Sequence, residues 1–131
     1  VATHAFDFEV LLLIAALLEL EQIKKSIKIA KDLGMDSLVE IHDEEDLEKS
    51  LRAGAEIIGI NSRDLKTFKI DLSVFQRLVK KIPKDKIILA ESGIETGKDI
   101  KKLDKRINAI LVGTSIMQAK NMAKKVQELT T

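Results

Sequence analysis

The chain has 131 residues, enough for one domain with a real hydrophobic core. Lys+Arg number 22 and Asp+Glu 21, a formal net charge of +1; this excludes a dedicated nucleic-acid or polybasic membrane binder, both of which need a positive excess. With no Cys, Trp or Tyr and only two His, a disulfide frame, a thiol nucleophile, a cysteine-ligated zinc, a histidine-rich metal site and an aromatic stacking platform are excluded as well.

The first nine residues, Val1 to Glu9, form an atypical lead-in. The apolar run that follows, Val10 to Leu18, is too short to span a bilayer. It comes after Asp7 and Glu9 rather than a basic stretch, so it is not a signal peptide; its part Val10–Ala16 reads as a strand, and a cytoplasmic setting is expected. Four more short apolar runs without period-2 patterning follow: Ser37–Ile41, Ile57–Ile60, Ile87–Ala90 and Ala109–Val112. Their lengths suit strands buried on both faces.

Charged segments with helical periodicity lie between them. Glu21–Leu33 places Ile23, Ile27, Ala30 and Leu33 on one face and stops at Gly34. Asp43–Ala53 opens on acidic residues, which favour a helix N-terminus, and buries Leu47 and Leu51. Leu72–Ile82 takes Asp71 or Ser73 as its cap and ends at Pro83. Thr96–Leu103 and Ala119–Leu129 complete the set.

The chain therefore reads as five successive βα units with parallel strands in a single domain over residues 1–131. Two architectures accommodate them. One is part of a (β/α)8 barrel, whose full length is about 250 residues. The alternative is an open flavodoxin-like sheet.

In both, function collects at the carboxyl ends of the strands. Those ends carry Glu40, Asn61, Glu91-Ser92-Gly93 and Gly113-Thr114-Ser115. Glu40 and Glu91 interrupt apolar stretches, and burial raises a carboxylate's pKa towards the range useful for proton transfer. A lone acid of this kind is as readily a helix cap or a lysine partner; two at equivalent strand ends point to function. Asn61 suits a substrate hydroxyl or a neighbouring carboxylate, with a plain turn residue as the alternative. Ser92-Gly93 and Gly113-Thr114 resemble a phosphate cradle, because glycine lets backbone N–H groups approach an anion. Tight βα turns are the alternative. His42 reads as a solvated loop histidine, and Lys98–Lys105 as a solvated helix face.

At these residues the chain resembles the indole-3-glycerol phosphate synthase family. Residues 33–48, around Leu38-Val39-Glu40-Ile41-His42, resemble its fifth strand and helix. Ile57-Ile58-Gly59-Ile60-Asn61-Ser62-Arg63-Asp64-Leu65 resembles the sixth strand. Ala90-Glu91-Ser92-Gly93-Ile94 and Leu111-Val112-Gly113-Thr114-Ser115-Ile116-Met117 resemble the seventh and eighth, and Leu11–Leu18 the fourth. The resemblance implies a carboxy-lyase of tryptophan biosynthesis that closes the indole ring of an anthranilate-derived deoxyribulose phosphate, with loss of carbon dioxide and water. It implies no metal and no organic cofactor. It places Glu40 at the general base and Asn61 and Glu91 at positions that orient the substrate. Arg63 and Ser92 match active-site neighbours, and Gly93, Gly113 and Thr114 match phosphate contacts.

Nothing in the sequence resembles the family's first three strands, which carry its general-acid lysine, a phosphate-contacting lysine and a further glutamate. Phe6-Asp7-Phe8-Glu9 replaces the small residues usual before the fourth strand, and Glu19 stands where a Ser or Thr cap is usual. The chain is thus expected to be a C-terminal part-barrel, truncated, engineered or chimeric, with little or no activity alone. A non-catalytic folding or assembly fragment is the alternative. Five strands cannot close an eight-stranded barrel, so unpaired edges and inward-facing apolar residues, from among Leu38, Ile60, Leu89 and Leu111, are expected to drive homodimerisation. The expected partners are a phosphorylated small molecule and a second copy of the chain, with no nucleic acid and no membrane.

Overall fold

The structure, a computed structural model, describes residues 10–111. Five strands alternate with helices: β1 (Val10–Ile14), α1 (Leu20–Asp32), β2 (Asp36–Ile41), α2 (Glu44–Arg52), β3 (Ile57–Asn61), α3 (Ser73–Val79), β4 (Ile87–Glu91), α4 (Gly97–Lys101) and β5 (Ala109–Leu111). The expected helix Ala119–Leu129 lies outside the described residues. So do the lead-in, Gly113 and Thr114.

Local chemistry explains the boundaries. The first apolar run does not stay extended: after Ile14 the chain turns through a short 3-10 segment, Ala15–Leu17, which buries Ala15. Glu19 caps α1 despite its length, because the Gln22 side chain accepts the Glu19 N–H at 2.8 Å and closes the first turn. Asp43 caps α2 by accepting the Asp46 N–H at 2.8 Å. Asp71 accepts both the backbone N–H and the hydroxyl of Ser73, at 3.0 and 2.6 Å, where α3 begins. That helix is shorter than its periodicity predicts. Past Val79 it tightens into i→i+3 bonds from Lys81 to Leu78 and from Ile82 to Val79, which carry the apolar face on to buried Ile82 before Pro83.

All strand pairs are parallel and the spatial order is β1-β2-β3-β4-β5. This order excludes the flavodoxin-like alternative, whose strand order must reverse at one point to place helices on both faces. Successive right-handed crossovers in one direction keep the helices on one face, as in part of a (β/α)8 barrel. Leu13, Val39, Ile41, Ile58, Ile60, Ile88 and Ala90 point to that face. There they meet Ile23 and Ala30 of α1, Leu47 of α2, and Val74, Phe75 and Leu78 of α3. Each fully buried side chain of this size contributes about 1.5–3 kcal/mol.

Pleating sends the alternate residues to the other face, in rows. One row is Leu12-Leu38-Ile57-Ile87; the next is Ile14-Glu40-Gly59-Leu89-Ala109; the third is Asn61-Glu91-Leu111. Of the residues proposed to face the barrel interior, Leu38, Leu89 and Leu111 lie here. Ile60 belongs to the helix-covered core and is fully buried. The outer parts of this second face are open: Val10, Leu12, Ile87 and Leu111 are about half exposed.

Candidate active site

The two carboxylates expected at the strand ends meet on the open face. Glu40 stands on β2, Glu91 on β4, and β3 runs between them with Gly59 beside Glu40 and Asn61 beside Glu91. Gly59 makes the meeting possible. A Cβ there would come to 3.0 Å from Glu91 Oε1 and 3.2 Å from Leu38 Cδ1, so a side chain would crowd the space that the Glu91 carboxylate fills. Both acids are buried, and Glu91 Oε2 has no hydrogen-bond partner among the described residues.

Burial, joined by the Glu40 carboxylate within hydrogen-bonding reach, pushes the Glu91 pKa up to about 8. Two adjacent buried carboxylates cannot both ionise cheaply, so Glu91 keeps its proton at pH values where an exposed glutamate has lost it. One group of the pair can therefore accept a proton while the other already carries one.

Asn61 and Ser92 come together at the next level of the mouth. Ser92 Oγ donates to Asn61 Oδ1 at 2.7 Å, and the same oxygen accepts the Arg63 N–H at 3.0 Å. The Asn61 amide is thereby oriented, with its NH2 end directed away from both donors. Ser62 ties β3 to β4: its N–H donates to the Glu91 carbonyl at 3.0 Å and its Oγ to the Ser92 carbonyl at 2.9 Å. Ser92 and Gly93 both adopt the left-handed region, with φ of 68° and 74°. For serine this conformation costs about 1–2 kcal/mol, which its bond to Asn61 helps offset. At Gly93 a side chain would be strained by the left-handed backbone, and its Cβ would lie 2.7 Å from Ile70 Cγ2 and from Leu72 Cδ2, so both would have to move.

Arg63 is placed differently from the other site residues. It lies near the start of the loop of residues 62–72, where its Nη1 donates to the Phe68 carbonyl at 3.3 Å. With His42, Asn61 and Arg77 it lines a cavity of about 390 Å³.

His42 is not the solvated loop residue its position suggests. Its side chain is only 12% exposed, because the β2–α2 turn folds it between Glu40 and Asp46. Nε2 lies 3.6 Å from Glu40 Oε2 and Nδ1 3.5 Å from Asp46 Oδ2, which are ion-pair contacts longer than hydrogen bonds. Asp46 is buried as well, and accepts the His42 N–H at 2.9 Å. The Asp46 carboxylate, and after it Glu40, raise the imidazole's pKa against the opposing effect of burial. The sequence does not mark Gly59 or Asp46 as site residues and gives His42 a loop role. The legible signal was at Gly59, a lone glycine inside an apolar strand; an acid four residues after a histidine is the weaker signal at Asp46. Among the described residues no group of three or more His, Cys, Asp or Glu side chains is arranged to hold a metal ion.

Comparison with known proteins adds a family to this geometry. Residues 2–129 match the family model described as indole-3-glycerol phosphate synthase. The indole-3-glycerol phosphate synthase of Caldanaerobacter subterraneus subsp. tengcongensis is 51% identical over 111 residues, covering 84% of this chain and 43% of the relative. That of Alkaliphilus metalliredigens is 48% identical over 128 residues, covering 97% of this chain and 49% of the relative. The chain thus spans about half the length of the curated relatives it matches. Among solved structures, KGPDC from Streptococcus mutans superposes with a TM-score of 0.67 at 14% identity, over 92% of this chain and 58% of that one. The YdjI aldolase from Escherichia coli superposes with a TM-score of 0.56 at 17% identity, over 83% of this chain and 45% of that one. At such identities these two likenesses speak for the fold alone.

Proposed function

The chain belongs to the indole-3-glycerol phosphate synthase family, and from that premise we propose that it is the C-terminal part-barrel of a carboxy-lyase of tryptophan biosynthesis. The reaction closes the indole ring of an anthranilate-derived deoxyribulose phosphate without metal or organic cofactor. Glu40 is the general base. Glu91, carrying the proton of the pair, and Asn61 orient the substrate hydroxyls and reacting groups. Arg63 and Ser92 line the site, and Gly93, Gly113 and Thr114 hold the phosphate, the last two from outside the described residues.

The observation that carries this reading is the buried Glu40–Glu91 pair at the carboxyl edge of a parallel sheet, with the left-handed Ser92-Gly93 turn beside it. An ionised carboxylate next to a protonated one suits a reaction that needs both proton abstraction and proton donation. No helix among the described residues is long and apolar enough to cross a membrane, and a cytoplasmic setting belongs to this proposal.

We propose further that the chain, a single α/β domain, turns over little or no substrate alone and associates as a homodimer. The open face, with Val10, Leu12, Ile87 and Leu111 half exposed, favours a second copy over solvent. Mixing the chain with a separate chain carrying the first three strands of a family member tests the assignment. Ring closure of the deoxyribulose phosphate should be absent without the partner chain, appear with it, and vanish with Glu40→Gln. Parent-like turnover by the chain alone would overturn the inactive-fragment reading. Unchanged turnover of the mixture with Glu40→Gln would overturn the assignment of the base.

A further inference from the structure

We propose that His42 is a positioning residue for the carboxylate pair: held by Asp46, it carries a positive charge against Glu40 and so assigns the ionised form to Glu40 and the proton to Glu91. The inference rests on the reading of Glu40 as the base.

The geometry is a row of four side chains running from α2 across the end of β2 to β4, in the order Asp46, His42, Glu40, Glu91. Asp46 is fixed at one end. Its carboxylate accepts the His42 N–H at 2.9 Å, its own N–H is taken by Asp43 Oδ1 at 2.8 Å, and its carbonyl accepts the buried Ser50 hydroxyl at 2.7 Å. The imidazole can therefore reach Glu40 with one nitrogen only while the other stays with Asp46. Both ring nitrogens are buried and neither has a hydrogen-bond partner among the described residues. A neutral imidazole so placed would leave one nitrogen as an unpaired acceptor facing a carboxylate. The doubly protonated ring instead offers an N–H to each acid, and the row then alternates negative, positive, negative, neutral.

The remaining charges around His42 are of both signs. Asp43, in the same turn, adds to the negative potential at the ring. Across the cavity stand Arg63, Asp64, Lys69 and Asp71 of the loop and Arg77 of α3. Arg77 is engaged by Glu44, its Nε donating to Oε1 at 2.8 Å, and Arg63 by the Phe68 carbonyl. Asp64 is engaged by the N–H groups of Lys66 and Thr67, and Asp71 by Ser73. Among the described residues, Glu40 and Asp46 are the two carboxylates in ion-pair contact with the ring. Without a cation beside it, Glu40 would share the desolvation suffered by Glu91, and the proton would be divided between the two acids.

The chain has two histidines, so His4→Gln leaves a single imidazole to observe. In that background, the His42 ring is titrated by nitrogen-15 NMR and the Glu40 and Glu91 side-chain carboxyls by carbon-13 NMR. The His42 midpoint should lie above the ordinary 6.5 and fall with Glu40→Gln and with Asp46→Asn. With His42→Gln, the titration of the carboxylate pair should move upward, because its proton is lost less readily. A merely structural histidine would leave the carboxyl midpoints unmoved. Should Glu40→Gln fail to give a folded amide spectrum, Asp46→Asn and His42→Gln still separate the two outcomes. A His42 midpoint at or below 6.5, or a carboxyl titration indifferent to His42→Gln, overturns the proposal. Neither result touches the assignment of Glu40 as base, which the two-chain turnover assay judges separately.

Discussion

The two faces of the sheet share the same five strands and differ in almost everything else. On the helix-covered face Val39, Ile41, Ile58, Ile60, Ile88 and Ala90 are fully buried against α1, α2 and α3. On the other, the same strands present Glu40, Gly59, Asn61 and Glu91, flanked by apolar residues that water still reaches. A shift of one residue along a strand therefore moves from stability to chemistry. This division lets the open face hold two costly acids, because the opposite face supplies the packing that tolerates them.

The sharpest test of the division is a cavity on the covered side. Ile60→Ala removes a fully buried side chain from the centre of the core, while its neighbours Gly59 and Asn61 keep their places on the other face. It should cost about 2–5 kcal/mol in urea unfolding. A loss below about 1 kcal/mol would mean that the covered face is not the stabilising one.

Next in size is the effect of pH on the acidic pair. Glu91 has its pKa raised from 4.5 to about 8 in the folded chain. Over that interval the folded state keeps a proton that the unfolded state releases. Stability therefore falls as pH rises from about 4.5 through about 8, with a slope of at most about 1.4 kcal/mol per pH unit. His42 acts in the same direction, but only above 6.5, where an unfolded histidine begins to lose its proton. Glu91→Gln should accordingly flatten the curve between pH 4.5 and 6.5 and leave the His42 slope above it. Urea midpoints measured across this range decide the matter, and a variant as pH-sensitive as the parent below 6.5 would remove Glu91 as the source.

Much of this arrangement was legible in the sequence, and its failures share one cause. Apolar runs of four to seven residues between helical segments identify the strands. Glu40, Asn61, Glu91 and Ser92 stand out because they break those runs at the same edge. Runs buried on both faces have no alternation, however, so nothing local says which parity faces the helices. Ile60 was accordingly grouped with Leu38 and Leu89, and the register alone separates them. His42 and Asp46 escaped for a related reason. Their burial comes from the turn that folds α2 back over the end of β2, a tertiary event that a polar turn sequence does not announce. The left-handed Ser92 was equally silent, since its conformation is held by Asn61, 31 residues away.

The smallest effect belongs to the apolar rim of the open face. Leu12 is 51% exposed and sits on β1, an edge strand among the described residues. Half of its side chain already meets water, so Leu12→Ser should cost the folded monomer no more than about 1 kcal/mol. Its influence on association should be out of proportion to that. Val10, Leu12, Ile87 and Leu111 together form the apolar surface proposed to meet a second copy, and a hydroxyl introduced there must be desolvated without a partner. Sedimentation at rising micromolar concentration should show the parent chain growing beyond a single-chain mass while Leu12→Ser stays nearer to one. Equal concentration dependence in parent and variant would locate the association elsewhere. A parent that remains a single chain throughout would show that the open face is tolerated in water as it stands. The contrast between the two faces would then be one of chemistry alone, with no second copy needed to complete it.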